Sequence, residues 1–186
     1  MKIEINYSCI NHLYPNTLLS KQESIIDTDI FILNLNELIG MKLKALFDRI
    51  SVKDLFDIFQ LINVIPSLDY QAIRKSFLFY YTLASLKYNY NIIDKINCIN
   101  KKDLISILYP VIPKKSGYNL EIMKHRVLEF AYSILNFTNK EMEFYKTFQE
   151  GFYYPELLFE NEHVLERARQ NPIANYKMKL KRMSRQ

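Results

Sequence analysis

The spacing of apolar residues changes once along this chain, from an alternating pattern to a helical one. Residues 2–7, KIEINY, alternate between apolar and polar side chains, which predicts a half-buried strand. A second β-rich run at residues 29–35 contains a short apolar block, and we expect another strand there. The stretch between them, residues 11–24, is polar and contains Pro15, so it predicts a loop or a short edge element.

After Asn36 the apolar positions recur every three to four residues, which predicts helices. Asp69 is placed to cap one helix, and Thr138 with Glu141 has the spacing of a capping box at another. The predicted helices are 37–49, 52–63, 69–88, 101–109, 120–136 and 139–150, with a looser helical stretch at 161–170. This order of elements predicts an α+β fold in which a small sheet is followed by a helical bundle.

Composition narrows the class of protein. Hydrophobic residues make up 49% of the 186 residues, enough for a core, and the sequence contains no apolar run of about 18 residues that would predict a membrane span. Glu4 argues against a signal peptide. Cys9 and Cys98 are too few for a disulfide framework and lack metal-ligand spacing, as do the scattered histidines. We therefore expect a cytoplasmic protein with reduced cysteines.

The positive net charge of +5 comes from one end of the chain. Every charged residue from Arg167 onward is a cation, whereas the residues before it carry more acids than cations. A basic terminus of this kind is typical of a solvated tail, and that is the interpretation we favour. The alternative is contact with nucleic acid through phosphate neutralisation. We likewise expect the aromatic clusters 77–81 and 152–154 to pack in the core rather than to form platforms for stacked bases.

The most informative segment is residues 37–57, ELIGMKLKALFDRISVKDLFD. On a helix, Lys42 and Arg49 fall two turns apart in the middle of the apolar stripe. The next helix places Asp54 and Asp57 on an apolar face as well. An unpaired charge in such a position costs several kcal/mol, so we expect the two cations and the two acids to pair or to face a polar cavity. The pattern is compatible with ion pairs that lock the helices, with cations that reach the surface, and with a binding site.

This segment resembles the signature of the AbiEii/AbiGii toxin family of the nucleotidyltransferase superfamily. The matching residues are Glu37, Leu38, Lys42, Ala45, Arg49, Lys53, Asp54 and Asp57. A segment near the end resembles the family's closing motif through Glu141, Phe144, Gly151, Tyr154, Pro155, Glu156, Leu157, Leu158 and Phe159. Asn171 and Asn175, on either side of Pro172, depart from the family pattern. The resemblance implies a partial nucleotidyltransferase-type mixed sheet at residues 1–65 and a helical bundle with a basic tail at 66–186.

The resemblance also implies a role for each matched charge. Lys42 would contact the phosphates of a nucleoside triphosphate (NTP), and Asp54 would be the essential acid that orients Lys42 or assists the acceptor. Arg49, Lys53 and Asp57 would shape the same nucleotide pocket. Catalysis in the superfamily rests on positioning and on divalent ions, here Mg²⁺ or Mn²⁺. The implied activity is transfer of a nucleotide to an RNA or protein acceptor, which arrests growth and is restrained by a cognate antitoxin.

One part of the superfamily pattern is not found in this sequence. Superfamily members carry a Gly-Ser turn and a close pair of acids on the next strand, upstream of the motif described above, and we expect that segment to be missing. Glu4 would then be the remaining candidate metal ligand, because Asp27 and Asp29 lack a preceding Gly-Ser turn. Two hypotheses follow: an active transferase, or a catalytically incomplete or split relative that binds nucleotide, RNA or protein. A sheet without its first strands also predicts self-association or a partner strand.

Overall fold

A computed structural model describes residues 12–15, 17–19, 30–65, 67–84, 92–110 and 118–184. Within these ranges the chain is built mainly from helices. The α-helices are α1 (Leu35–Arg49), α2 (Val52–Val64), α3 (Tyr70–Leu83), α4 (Ile92–Cys98), α5 (Lys101–Asp103), α6 (Leu120–Leu135), α7 (Asn139–Gln149), α8 (Glu162–Arg169) and α9 (Pro172–Met183). A π-helical turn, Leu104–Leu108, continues α5, and a 3₁₀ turn, Pro155–Leu157, follows α7.

The predicted α+β fold class, with its nucleotidyltransferase-type mixed sheet, is wrong. The described β-structure is one antiparallel pair, β1 (Thr17–Leu19) with β2 (Ile30–Ile32), in which Leu18 lies opposite Phe31. The second predicted strand ends at Ile32, because the side chain of Asn34 caps α1 and the helix begins at Leu35. The predicted strand at 2–7 lies outside the described residues. What remains is a helical fold.

Polar caps account for where most of the helices begin. The side chains of Ser51, Asp69 and Thr138 accept hydrogen bonds from backbone N–H groups in the first turns of α2, α3 and α7, and Thr138 forms the predicted capping box with Glu141. Asparagine caps a further set of helices, at Asn34, Asn100, Asn119, Asn161 and Asn171. These caps fix the chain reversals that bring the helices together.

Two apolar clusters form the core, and α3 lies between them. One face of α3, with Ile73, Phe77 and Tyr81, packs against the buried side chains of α1, α2 and α6. Its other face, with Leu78 and Phe79, packs against apolar residues of α7, α8 and α9. This explains why every residue from 76 to 83 is buried, and it confirms the core assignment for the aromatic cluster at 77–81. The core spans the predicted domain boundary at residue 65, and that boundary stays a prediction.

Close packing of α1 on α3 depends on Gly40. A Cβ atom at this position would lie 2.7 Å from Cβ of Ser76 and 2.8 Å from the backbone nitrogen of Phe77. Backbone atoms of a packed helix have little freedom to move aside, so only glycine allows this approach. The position of α1, and of the charged residues that it carries, is therefore set by this contact.

The helical prediction was accurate for α1, α2, α6, α7 and α8 to within about two residues at each end. Two helices, α4 and α9, were not predicted. The basic tail was expected to be solvated, but Asn171 and Pro172 begin α9, whose Ala174 and Met178 are buried in the second cluster. None of the described helices is long and apolar enough to cross a membrane.

Candidate functional site

The first residue of the signature, Glu37, is a buried anchor. Its carboxylate accepts hydrogen bonds from the backbone N–H groups of Leu13 (2.8 Å) and Tyr14 (3.1 Å) and from the hydroxyl of Tyr80. Three donors satisfy a carboxylate that has no exposed surface. Burial, followed by the charge of Glu37, raises the pKa of Tyr80 far above its usual range. Glu37 thus ties the segment at 12–15 to α1 and α3.

Arg49 and Asp54 form the bidentate one of two ion pairs between α1 and α2. The guanidinium donates through Nε and Nη2 to the two carboxylate oxygens, each at 2.7 Å, in the bidentate geometry that suits this pair. The side chain of Asp54 is 1% exposed, whereas that of Arg49 is 66% exposed. The hydrogen bond to Asp54 raises the pKa of Arg49 further above its ordinary value. Asp54 therefore holds Arg49 in place while the rest of the guanidinium faces solvent.

Lys42 and Asp57 form the second ion pair, with 2.6 Å between Nζ and Oδ2. Both side chains are about one-third exposed, at 34% and 38%. The two pairs are nested, 42 with 57 and 49 with 54, as expected for consecutive helices that run antiparallel. The prediction that the charges on the apolar faces would meet is thereby confirmed. Their functional roles stay predictions, and the partner of Asp54 is Arg49 rather than Lys42.

The other candidate residues add little to the description of this site. Lys53 lies in the first turn of α2, and its side chain is exposed. Lys44 forms an ion pair with Asp48 within α1, separate from the two pairs described above. Glu4, the candidate metal ligand, lies outside the described residues.

The residues at the signature do not fit a divalent metal ion. Within the described ranges, no group of three or more His, Cys, Asp or Glu residues has the arrangement needed to hold one. The oxygens of Asp54 are both engaged by Arg49, and Asp57 is engaged by Lys42. The geometry supports an anion site built from cations, because those cations retain donors. No metal-dependent step is assigned to these residues.

The closing motif contains a second buried anchor, Glu141. Its carboxylate accepts from Nε of Arg74 at 2.9 Å and from the backbone N–H of Thr138 at 2.8 Å. The ion pair joins α3 to α7, and Glu141 is 3% exposed. Sequence matching cannot separate such structural acids from functional ones, because both appear as carboxylates at fixed positions. Burial and the number of donors distinguish them here.

The basic end of the chain is partly used for internal packing. Nζ of Lys181 donates to the carbonyl oxygens of Phe148 (2.9 Å) and Gln149 (3.0 Å) at the end of α7. Arg167 donates to the carbonyl oxygens of His12 and Tyr14, each at 3.3 Å. These contacts correct the prediction of a solvated tail.

Other cations of this end line a cavity of about 550 Å³ next to the closing motif. Lys179 and Arg182 contribute from α9, and Phe152 and Tyr154 contribute from the segment after α7. Phe152 is 48% exposed and Tyr154 is 44% exposed, so the prediction that the whole 152–154 cluster packs in the core is wrong for these two. Only the ring of Tyr153 packs inward, against Phe148. The sequence did not predict the exposure of Phe152 and Tyr154, because residues 152–154 form one uninterrupted aromatic block.

Comparison with known proteins gives one match. The sequence model of a family described as "nucleotidyl transferase AbiEii toxin, type IV TA system" (TA, toxin–antitoxin) matches residues 1–150. The match contains all of the signature at 37–57 and ends within the closing motif. No curated protein and no solved structure matches the chain.

Proposed function

The chain belongs to the AbiEii nucleotidyl transferase toxin family of type IV toxin–antitoxin systems, and from this premise we propose that it binds an NTP at Lys42 and Arg49 and transfers a nucleotide to an RNA or protein acceptor. The site of action is the cytoplasm, and a cognate antitoxin restrains the activity. The carrying observation is the pair of nested ion pairs, in which an exposed cation is held in place by an acid.

Both cations remain available to phosphate groups of the triphosphate, but for different reasons. Arg49 uses two of its five N–H donors on Asp54, so the remaining donors are oriented toward solvent and available to a phosphate. Lys42 is a compact charge on a flexible stem, and its ion pair with Asp57 is partly exposed. Such an exposed pair contributes only about 0–1 kcal/mol, so a phosphate displaces Asp57 at little cost. Lys53 and the freed Asp57 complete the pocket.

The proposed transfer takes place in one step at this site. A nucleophilic oxygen of the acceptor forms a bond to the α-phosphorus while the bond to the β-phosphate breaks, and pyrophosphate leaves. The freed carboxylate of Asp57 takes the proton from the acceptor, and Asp54 keeps Arg49 aligned throughout. The family implies that Mg²⁺ or Mn²⁺ accompanies the NTP.

The first test is isothermal titration of the protein with each NTP, with and without Mg²⁺ or Mn²⁺. Lys42→Ala is expected to weaken binding tenfold or more, because a charge-assisted contact to phosphate is lost. Lys44→Ala is the matched control, since Lys44 lies on the same helix and also pairs with an acid. Equal loss in both variants, or no binding by the wild-type protein, would remove the proposed pocket.

The second test follows nucleotide transfer with α-³²P-labelled NTPs and either total RNA or a protein extract as the acceptor. Label is expected to become acid-precipitable with the wild-type protein. It is expected to stay soluble with the Asp54→Asn variant, because the neutral amide holds Arg49 less firmly than the carboxylate does. Digestion of the product with ribonuclease or protease identifies the acceptor.

A second candidate function is a module that binds nucleotide, RNA or protein without transferring anything. It is favoured by the engagement of Asp54 and Asp57 with cations and by the lack of a metal-ligand group among the described residues. The two tests separate the candidates: titration heat that depends on Lys42, with no label transferred under any metal condition, supports the binding module.

The family also supports an antitoxin partner, and self-association of the chain stays a prediction. Light scattering of the purified chain over a range of concentrations tests the latter. A monomer at every concentration would contradict it.

A further inference from the structure

We propose that the cavity between the closing motif and α9 is a binding site for single-stranded nucleic acid, in which bases stack on Phe152 and Tyr154 and phosphates contact Lys179 and Arg182. The site lies beyond the residues that match the family and does not use the signature charges. The inference concerns binding only, and it stands whether or not the chain transfers a nucleotide.

The position of the aromatic pair is fixed by the end of α7. Gly151 has a positive φ of 82°, and its N–H donates to the carbonyl of Phe148. The N–H of Phe152 donates to the carbonyl of Thr147 at 2.9 Å. Together these bonds form a Schellman motif, the common glycine-dependent end of a helix. The chain therefore leaves α7 in a defined direction, with Phe152 as its first residue.

The next residues alternate between the core and the surface. Tyr153 turns inward, where its hydroxyl donates to the carbonyl of Ala168 at 2.5 Å. Its neighbours on both sides therefore point outward, as alternate residues of an extended segment do. The rings of Phe152 and Tyr154 are nearly parallel, at 4°, with centroids 6.2 Å apart. The inward-facing, half-buried Tyr153 therefore anchors a pair of nearly parallel rings that are about half exposed.

The cations beside this pair are not neutralised within the described part of the chain. Neither Lys179 nor Arg182 has a hydrogen bond or an ion pair there, in contrast to Lys181 on the same helix. Asn175 adds an amide to the same wall of the cavity. An anionic ligand is the complement of such a surface.

The combination of features selects one class of ligand. A basic surface alone attracts any polyanion, and exposed aromatic rings alone suit many apolar partners. Parallel aromatic faces next to cations match the alternation of base and phosphate in a single strand, where stacking is tolerant of sequence. In duplex nucleic acid the base faces are covered by their neighbours. The cavity of about 550 Å³ is large enough for one or two nucleotides.

The test is fluorescence anisotropy with labelled oligonucleotides of about eight residues, within the usual range for such sites. RNA and DNA of the same sequence are compared with an abasic strand of equal length, which keeps the phosphates and loses the bases. We expect both intact strands to bind at low salt and the abasic strand to bind at least about fivefold more weakly, as expected when a stacked base is lost. Equal binding of the abasic strand would overturn the stacking site.

Variants of the full-length protein locate the site. Phe152→Ala and Tyr154→Ala are each expected to weaken binding by about five- to tenfold. Tyr154→Phe keeps the ring and is expected to bind as wild type. Tyr176→Ala is the matched control, because Tyr176 is an exposed aromatic residue of α9 outside the cavity. Loss in Tyr176→Ala equal to that in Tyr154→Ala would overturn the assignment.

The charge contribution is measured separately, on side chains that do not pack in the core. Lys179→Glu with Arg182→Glu is expected to abolish binding at moderate salt, and neutral variants at these positions lower the slope of log K against log salt by about 0.7 for each contact. Lys102→Glu with Lys140→Glu, two exposed positions outside the cavity, is the control for net charge. Unchanged binding by the Lys179→Glu/Arg182→Glu variant would overturn the site.

Lys42→Ala distinguishes this inference from the proposed function. It is expected to lose NTP binding and keep oligonucleotide binding, whereas Phe152→Ala does the reverse. If Lys42→Ala alone loses both, the two ligands share the signature site and the cavity is not a nucleic-acid site.

Discussion

The surface between α1 and α2 and the cavity beside α9 both present cations, but they hold them differently. At the first, Lys42 and Arg49 are each paired with an acid, and Asp54 is buried. At the second, Lys179 and Arg182 have no acid partner in the described part of the chain and lie beside exposed rings. In the proposed function these paired cations are positioned in advance for a ligand, which displaces Asp57 from Lys42 and uses the donors of Arg49 that Asp54 does not engage. Cations without a partner suit a polyanion that makes many weak contacts.

The difference also shows why net charge is a poor guide to function here. The chain is basic because of its end, yet three of the cations there, Arg167, Arg169 and Lys181, are engaged within the protein. The signature segment makes no such contribution to net charge, because its cations and acids balance. A site whose cations and acids balance does not change the net charge, and only the spacing of its residues in the sequence indicates it.

The largest expected effect on stability comes from comparing the glycine that supports each region, Gly40 for the first and Gly151 for the second. Gly40→Ala is expected to cost up to about 3 kcal/mol of unfolding free energy, because the new Cβ meets the backbone of Phe77. Gly151→Ala strains the positive φ that sets the aromatic pair and is expected to cost about 1 kcal/mol. Urea denaturation measures both. Equal costs would show that α1 and α3 can move apart.

The second effect compares the two ion pairs of the first region. Arg49→Met leaves the buried carboxylate of Asp54 without its two donors and is expected to cost about 1–3 kcal/mol. Lys42→Met removes a partner from a pair that is about one-third exposed and is expected to cost less than about 1 kcal/mol. Thermal unfolding of both variants at the same pH checks the order. A larger cost for Lys42→Met would contradict the assignment of Arg49–Asp54 as the structural pair.

The third effect separates the structural cation of the second region from its free neighbours. Lys181→Met loses two bonds to carbonyls at the end of α7 and is expected to cost about 1 kcal/mol. Lys179→Met, on the same helix, is expected to leave stability unchanged. Chemical denaturation of the two variants is the measurement. A stability loss in Lys179→Met would indicate that Lys179 also supports the fold.

The smallest expected effect on stability comes from Tyr14 and is measurable only at alkaline pH. Burial raises the pKa of Tyr14 to about 12, from about 10 in the unfolded chain. The folded state therefore binds more protons between these values, so the contribution of Tyr14 to stability is complete below pH 10 and is lost as pH rises toward 12. Tyr14→Phe is expected to reduce that fall. Denaturation at pH 8, 10 and 11 measures it, and an identical slope in the variant would assign the effect to other groups.

The comparison explains how much of the candidate site followed from the sequence. That Lys42 and Arg49 would meet Asp54 and Asp57 was predicted from helical spacing, because an unpaired charge on an apolar face is costly. The sequence did not predict which acid pairs with which cation, since acids on neighbouring turns of one helix lie within reach of the same cation on the other. The inference that Asp54 supports Arg49 needed coordinates.

Local signals determined the helices and their caps. Spacing, Asp69 and the Thr138–Glu141 capping box placed most of the helical body within two residues, because those signals act over one or two turns. The sequence also indicated the family through residues 37–57, and the match over 1–150 confirmed it.

Tertiary structure alone decided the rest. The α+β prediction failed because the second predicted strand is limited to Ile30–Ile32 and pairs, in the described part of the chain, only with Thr17–Leu19 before Asn34 starts α1. The basic tail became α9 because its Ala174 and Met178 found an apolar cluster to join, and isolated short helices are marginal without such packing. The exposure of Phe152 and Tyr154 beside Lys179 and Arg182 depends on residues far apart in sequence, which no local pattern brings together.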